Sequence, residues 1–257
     1  MPVMNTVIMK GRKQMYQGVY KIARHNVKIN SIYSQVHKIC EKYKTNEPEK
    51  FSVSIQPEDI TFEGEKSEAE DKKQGIPVRN FSYEYLETLA VYRKISEFLI
   101  DQDILLFHGS AIAVDGQGYL FTAKSGTGKS THTRLWRELF GEGAVMVNDD
   151  KPLLHITDNG VTVYGTPWDG KHHLSSNISV PLKGICILKR DTTNHIKRIG
   201  KSQAYPMLLQ QSYRSVNLEK MVKTLELIDL LAEKTGLYEL HCNQEIEAAK
   251  VAYEGMK

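Results

Sequence analysis

One short stretch of the sequence contains the residue types that bind the phosphates of a nucleotide. Residues 123–131 read Ala-Lys-Ser-Gly-Thr-Gly-Lys-Ser-Thr. Gly126 and Gly128 allow the backbone to curl so that successive amide N–H groups point at an anion. Lys129 is placed to reach the β- and γ-phosphates, and the Ser130 hydroxyl is placed to bind Mg²⁺. The stretch therefore predicts a phosphate-binding loop.

The flanking sequence supplies the elements that position such a loop. Residues 119–121 (Tyr-Leu-Phe) form a strand-like run, and residues 129–140 fit a helix whose positive end faces the same spot. Ala123 stands where the motif usually has its first glycine, so the loop begins one methyl group more crowded. The residues expected to bind the nucleotide are Ser125, Gly126, Thr127, Gly128, Lys129, Ser130 and Thr131.

Two adjacent carboxylates follow the next apolar strand. Residues 144–147 (Ala-Val-Met-Val) lead through Asn148 into Asp149 and Asp150. Neighbouring side chains on a strand point to opposite faces, so both carboxylates reach one site only if the strand ends here, as Lys151-Pro152 indicates. One carboxylate would organise Mg²⁺, and the other would accept the proton of an attacking hydroxyl. The alternative is a polar strand end without function.

A histidine precedes the loop at the end of another apolar run. Residues 104–107 (Ile-Leu-Leu-Phe) lead into His108, and Asp115-Gly116 is a strong hairpin-turn signal. The strand before this turn should therefore pair antiparallel with residues 119–121, which would carry His108 near the phosphates. There His108 could bind a metal or a transferred phosphoryl group, although a histidine after a strand is more often structural.

Together these motifs resemble one family of phosphotransfer enzymes. His108-Gly-Ser, Asp115-Gly, Ser-Gly-Thr-Gly-Lys-Ser at residues 125–130 and Asp149-Asp150 occur in this order. The pattern is similar to that of HPr kinase/phosphorylase and its relative phosphoenolpyruvate carboxykinase. The resemblance is strong over residues 105–153, weakens towards residue 188 and is absent from the N-terminal lobe. Residues 148–152 and 165–171 also resemble a set of HPr-kinase-related proteins of undefined substrate.

The resemblance implies an α/β fold, with a mixed β-sheet P-loop core of the HPr kinase/phosphoenolpyruvate carboxykinase type and a small α+β N-terminal lobe. It also implies Mg²⁺-dependent phosphoryl transfer from ATP, with Lys129 on phosphate, Ser130 and Asp149 on Mg²⁺, and Asp150 and His108 beside them. Which aspartate is the base stays open. The chain lacks the glycine-rich segment that follows the aspartates in bifunctional enzymes, and it lacks an evident arginine set for a dicarboxylate. These departures disfavour decarboxylation and leave a reverse phosphorylase activity open.

The acceptor is expected to be a hydroxyl, either a serine of a protein or peptide or a small molecule. A nucleotide-sensing module without transfer is the third alternative. Residues 165–171 (Gly-Thr-Pro-Trp-Asp-Gly-Lys) are the candidate acceptor side, where Trp168 offers a flat apolar surface and Lys171 a positive charge. A structural loop with a packed tryptophan explains the same residues equally well.

The length of 257 residues accommodates a core with an appended lobe. We expect an N-terminal α+β lobe over residues 1–80 and a kinase core, including the C-terminal helices, over residues 81–257. In the lobe, alternation over residues 16–30 predicts a β-hairpin. Residues 63–74 contain no apolar residue larger than alanine and predict a mobile charged loop.

Composition disfavours several classes of protein. The net charge of +3 is too small to indicate nucleic-acid or membrane binding, and three widely spaced cysteines suggest neither disulfides nor a zinc site. No run approaches the ~18 consecutive apolar residues of a membrane span. We therefore expect a cytoplasmic protein without nucleic-acid or membrane partners. Whether it forms a homo-oligomer stays open.

Overall fold

A computed structural model describes residues 15–170 and 172–257. The described chain divides into two units. The first comprises the described residues up to Tyr20 together with Asn26–Val91, and the second comprises Lys21–His25 and Tyr92–Lys257. No helix in the described ranges is long and apolar enough to cross a membrane.

The N-terminal unit is built on a sheet with the strand order β1-β2-β3. The strands are β1 (Tyr16–Ile22), β2 (His25–Ser31) and β3 (Phe51–Ser54). Ala23 and Arg24, both with positive φ, form the turn that joins β1 to β2, so the predicted hairpin is confirmed. β2 pairs in parallel with β3, and Val27 lies opposite Phe51. The helices that follow along the chain are α1 (Gln35–Ile39), α2 (Pro57–Gln74) and α3 (Tyr83–Ile100), and α3 continues into the second unit from Tyr92.

The prediction of a mobile charged loop over residues 63–74 is wrong, because these residues belong to α2. Glutamate, lysine and alanine have high helix propensity even without an apolar face. The helix is also capped at both ends. The backbone N–H of Gln56 donates to Asp59 Oδ2 at 2.9 Å in a capping box, and Gly75 closes the helix with a φ of 67°. These local terms outweigh the lack of a continuous apolar stripe.

The described residues of the second unit form a nine-stranded sheet. Its strands are β4 (Ile104–Leu106), β5 (Ser110–Val114), β6 (Gln117–Thr122), β7 (Ala144–Asn148), β8 (Leu153–Thr157), β9 (Gly160–Tyr164), β10 (Ser179–Arg190), β11 (His195–Arg198) and β12 (Gly236–Cys242). The helices are α4 (Lys129–Phe140), α5 (Lys201–Gln211), α6 (Leu218–Lys234) and α7 (Ile246–Met256). The fold class is thus mixed α/β.

The long strand β10 joins two parts of this sheet. Its first residues, Ser179–Pro181, pair antiparallel with β9, which continues through β8 to β4. Its remaining residues pair in parallel with β6 on one side and β12 on the other. Parallel pairing brings the carboxyl ends of β6, β10 and β12 to one edge. The glycine-rich loop after β6 therefore lies beside the ends of two other strands.

β5 and β6 form the hairpin expected from Asp115-Gly116. They are antiparallel, with Ser110 opposite Phe121, and both turn residues have positive φ, 51° and 73°. This pair of left-handed residues matches the right-handed twist of the strands. The register sets Ser110, two residues after His108, beside the end of β6.

Each face of the sheet is covered by helices. Alternation along β6 directs Leu120 into a cluster with Leu208 of α5 and Leu227 of α6. Phe121 points into the other cluster, with Trp136 of α4 and Ala249 of α7. The two buried faces fix the strand ends that carry the polar residues described next.

Candidate functional site

Residues 123–128 form a tight loop between β6 and α4, which we call the glycine-rich loop. Gly126 and Gly128 have φ values of 75° and 121°. No heavy atom lies within 4 Å of a Cβ built on Gly126, so its backbone conformation, rather than lack of space, requires glycine. The His132 N–H donates to the Gly128 carbonyl at 2.9 Å and starts the hydrogen bonding of α4.

Ala123 is a core residue. It is 1% exposed and lies in the same apolar cluster as Phe121, Leu135 and Trp136. Its methyl group therefore packs inward rather than crowding the loop. Ala123, which departs from the usual motif, therefore contributes to the apolar packing between β6 and α4.

Arg190, at the end of β10, holds the outer side of the glycine-rich loop. Its guanidinium donates from Nε to the Thr127 carbonyl at 3.2 Å and from a terminal nitrogen to the Gly126 carbonyl. No motif in the sequence predicts these contacts, because they span more than sixty positions. Two loop carbonyls are thereby engaged by a neighbouring strand, which fixes the loop conformation.

Lys129 begins α4 and is partly buried. Burial lowers the pKa of its ammonium group, and the negative charges of Asp150 and Asp149 oppose that shift. The two carboxylates therefore act on the same lysine. Ser130 is exposed and Thr131 is partly buried in the first turn of the helix.

Asp149 is buried, with an exposure of 5%. Ser110 Oγ donates to its Oδ1 at 2.8 Å, and Thr133 Oγ1 lies 2.9 Å from Ser110 Oγ. Thr133 Oγ1 in turn lies 3.3 Å from the Ser130 carbonyl oxygen. Because Ser110 donates its single hydroxyl proton to Asp149, Thr133 donates to Ser110, and these two hydrogen bonds link the end of β7 to Thr133 of α4. In the sequence, Ser110 stands in the His108-Gly-Ser motif without a predicted role of its own, and Thr133 has no motif signal at all.

Asp150 faces two basic side chains. His108 Nε2 lies 3.2 Å from Oδ1, and Lys151 Nζ lies 3.4 Å from Oδ2. Burial would raise the pKa of Asp150, but the hydrogen bonds and positive charge of His108 and Lys151 outweigh it and hold the pKa at about 2. The structure therefore brings His108 to Asp150, while Asp149 has separate partners.

Asn148 organises the turn that presents both aspartates, and the sequence reasoning missed it. It is fully buried and ends β7, and its Oδ1 accepts from the N–H groups of Asp150 at 2.8 Å and Lys151 at 2.6 Å. Its Nδ2 donates to Thr166 Oγ1 at 3.0 Å. The strand β7 thus ends just before the two aspartates, as the sequence predicted, and the hydrogen bonds of the Asn148 side chain stabilise the turn that follows.

Residues 165–170 pack against this turn. A Cβ on Gly165 would lie 1.9 Å from the Ser176 carbonyl oxygen, and one on Gly170 would lie 2.9 Å from Asp149 Oδ2. Both glycines therefore permit a close approach of backbone. The approach at Gly170 places this segment directly beside Asp149.

Trp168, offered as part of an acceptor surface, is a packed residue. It is 4% exposed, and its ring stacks on Tyr92 with centroids 4.1 Å apart and an interplanar angle of 2°. The structural interpretation of this tryptophan is therefore the one that its surroundings support. Lys171, the second residue proposed for the acceptor side, lies outside the described residues.

A small cavity opens beside the glycine-rich loop. It lies at the ends of β10 and β12 and combines apolar with polar walls. His132, in its wall, is 3% exposed, and burial lowers its pKa to about 3, so the ring is neutral at pH 7. The other lining residues are Thr127, Gly128, Thr131, Leu135, Leu188, Lys189, Arg190, Cys242, Asn243 and Gln244.

Comparison with known proteins gives one family. Among solved structures, the Hpr(Ser) kinase/phosphatase from Coxiella burnetii is 15% identical and aligns with a TM-score of 0.28, covering 47% of this chain and 87% of that chain. A TM-score of this size supports no conclusion. No curated protein matches the chain. The model of the family described as SynChlorMet cassette protein ScmC matches residues 78–243, more than half of the sequence. The chain therefore belongs to the ScmC family.

Proposed function

We propose that this chain is an Mg²⁺-dependent, ATP-using kinase of the HPr-kinase-like type that transfers a phosphoryl group to a hydroxyl, in the first instance a serine of a protein or peptide. The observation that carries the proposal is that hydrogen bonds through Ser110 and Thr133 join the buried Asp149 carboxylate to α4, the helix that Lys129 begins after the glycine-rich loop. A cation at a helix N-terminus, facing two carboxylates beside a glycine-rich loop, suits phosphoryl transfer, in which positioning and charge neutralisation dominate.

The glycine-rich loop is the proposed phosphate site. Support comes from the left-handed Gly126 and Gly128, the first turn of α4 and the Lys129 ammonium group. A helix N-terminus and free amide groups attract anions. The adjoining cavity, with Leu135 and Leu188 among its walls, offers an apolar surface for the nucleoside.

The donor set near Ser130 fits Mg²⁺. Ser130 offers an exposed hydroxyl, and Asp149 offers a carboxylate whose Oδ2 faces the space that a Cβ on Gly170 would fill. Hard oxygen donors are the ligands that Mg²⁺ prefers. When bound, the ion would neutralise charge on the β- and γ-phosphates. The Ser110 hydrogen bond would hold Asp149 in place for this role.

Asp150 is the proposed proton acceptor. In the reaction, the acceptor oxygen forms a bond to the γ-phosphorus while the bond from that phosphorus to the β,γ-bridging oxygen breaks and ADP leaves. The hydroxyl proton passes to Asp150. A carboxyl group with a pKa of about 2 is a weak base, so it accepts the proton only after bonding to phosphorus has acidified the hydroxyl. His108 and Lys151 keep Asp150 ionised and oriented until then.

Transfer of label from ATP tests the proposal. The full chain is incubated with Mg²⁺ and ATP labelled on its γ-phosphate, together with a cell lysate that is then separated into protein and metabolite fractions. Label on protein serine supports the proposed acceptor, and label in a metabolite supports a small-molecule kinase. Nucleotide binding with neither transfer nor phosphate release would leave a sensing module and contradict the kinase proposal.

Two charge-removing variants test the division of roles. Asp149→Asn is expected to abolish transfer and to weaken the dependence on Mg²⁺. Asp150→Asn is expected to abolish transfer while the Mg²⁺ concentration for half-maximal nucleotide binding stays unchanged. Equal and small effects in both variants would mean that the pair is structural.

A further inference from the structure

A second cluster of possible ligands lies outside the site described above. Asp191, His195 and His241 each offer one ligand atom, and these atoms all lie within 4.8 Å of one another. The three residues come from three places: the chain just after β10, the start of β11 and the end of β12. We propose that they bind a divalent transition-metal ion of the zinc type.

The strand register brings the two histidines together. β11 and β12 are antiparallel, and His195 lies directly opposite His241. Opposed residues on neighbouring strands share one face of the sheet. Their rings stack with centroids 4.6 Å apart and an interplanar angle of 13°. This cross-strand pair is fixed by backbone pairing and not by chance contact of two mobile side chains.

Asp191 presents one carboxylate oxygen to the histidines. Its Oδ1 accepts from the backbone N–H groups of Thr192 at 2.7 Å and Thr193 at 3.3 Å. Its Oδ2 lies 3.1 Å from His241 Nδ1. The turn thus orients the carboxylate and leaves Oδ2 as the ligand atom.

Glu239 completes the surroundings as a positioning residue. Its Oε1 lies 3.3 Å from His241 Nε2 and 2.8 Å from Lys197 Nζ. With the metal on the Asp191 side of His241, the Nε2–H would donate to Glu239. A ligating histidine commonly donates its other ring N–H to a carboxylate, which fixes the tautomer. Imidazole and carboxylate ligands together suit Zn²⁺, Ni²⁺ or Cu²⁺ better than Mg²⁺ or Ca²⁺.

The ion would join three strand ends. It would tie the edge strand β11 to β12 and to the chain that leaves β10. Arg190, which holds the glycine-rich loop, immediately precedes Asp191, and Cys242 immediately follows His241. The proposed ion therefore lies at the strand ends that also form the wall of the cavity.

Zn²⁺ titration of the full chain tests the inference. The protein is first stripped of bound metal ions. Calorimetry is then run with Mg²⁺ in excess, so that Mg²⁺ occupies the proposed site at Asp149. One Zn²⁺ per chain is expected at this cluster. His241→Ala should weaken binding by at least about tenfold, and Glu239→Gln should weaken it less. His172→Ala, which removes an exposed histidine elsewhere, should leave affinity unchanged.

Co²⁺ absorption provides a second measurement. A Co²⁺ spectrum in the visible range should appear with the parent chain and with Asp150→Asn, and it should vanish in His195→Ala/His241→Ala. Circular dichroism and the thermal midpoint establish that each variant is folded. Zn²⁺ binding that is absent from the parent chain, or unchanged in the double variant, overturns the inference. In that outcome the residues form only an ion-pair cluster around His241.

Discussion

His108 Nε2 lies 3.2 Å from Asp150 Oδ1, across two strand ends that are far apart in sequence. Backbone pairing secures this contact, because the Gly109 N–H donates to the Asp150 carbonyl at 3.0 Å. A Cβ on Gly109 would lie 2.9 Å from a Leu120 side-chain carbon and 3.0 Å from the Phe121 carbonyl oxygen, so the glycine permits a close approach of this segment to β6. The histidine is therefore held against one specific aspartate of the pair.

Replacing His108 with alanine should raise the pKa of Asp150 from about 2 towards its ordinary value of 3.8. Because folding lowers the pKa of Asp150, its ionised carboxylate stabilises the folded state. This stabilisation is fully present above pH 3.8 and is lost as the pH falls through about 2. The parent chain should thus be more stable than His108→Ala above that window, and the difference should shrink within it. Urea unfolding at a series of pH values measures this.

His172→Ala is the control for that series, because His172 is exposed and lies elsewhere on the chain. It should not alter the pH dependence of stability. A difference between parent and His108→Ala that stays constant from neutral pH to about pH 2 would show that His108 does not stabilise the ionised Asp150.

Asn148→Ala should destabilise the fold and abolish transfer. The substitution leaves the N–H groups of Asp150 and Lys151 and the hydroxyl of Thr166 without their amide partner. A lost buried hydrogen-bond partner costs about 1–3 kcal/mol in the free energy of unfolding. Chemical denaturation measures the change. Asn159→Ala, in the exposed turn between β8 and β9, should have little effect, and equal stabilities for the two variants would contradict the role of Asn148.

Gly170→Ala should displace Asp149, since the added Cβ would meet Asp149 Oδ2 at 2.9 Å. A misplacement of about 1 Å at a reacting centre can cost on the order of 10²-fold in rate, so we expect transfer to fall by about tenfold to 100-fold. Steady-state kinetics at varied Mg²⁺ should show a higher Mg²⁺ requirement. Gly143→Ala meets no atom within 4 Å and is the matched control. Similar kinetics in both variants would contradict the proposed role of Asp149.

Arg190→Ala should weaken ATP binding by about tenfold, because charge-assisted hydrogen bonds to the Gly126 and Thr127 carbonyls are lost. Arg190→Lys keeps the charge but not the planar fork, so it should restore only part of the affinity. Lys183→Ala, on the same strand, serves as the control. Calorimetry measures the nucleotide affinity of each variant. Equal affinities in all three variants would show that nucleotide binding by the loop does not depend on Arg190.

The sequence predicted those features that depend on neighbouring residues. Asp115-Gly116 predicted a hairpin, and Gly126 and Gly128 predicted a tight loop. Both conformations follow from local backbone preference. Local backbone preference also explains why the prediction of a mobile loop over residues 63–74 was wrong. The charged residues of α2 lack an apolar stripe, but their helix propensity and the caps at Gln56 and Gly75 are enough to form the helix.

The partners of the site residues could not be predicted in the same way. Asn148 reaches Thr166, and Arg190 reaches Thr127, through sheet pairings that bring distant segments together. Side-chain hydrogen bonds of this kind leave no periodicity or motif in the sequence. The stacking of Trp168 on Tyr92 is equally non-local, and no motif in the sequence predicts it.

The most direct test of the central claim is phosphoryl transfer by Lys129→Ala. Loss of the ammonium group that faces Asp149 and Asp150 should reduce turnover of ATP by about 10²-fold or more, with the thermal midpoint retained. Lys124→Ala, an exposed lysine of the same loop, should keep most of the activity. Turnover by Lys129→Ala equal to that of the parent chain would contradict the account.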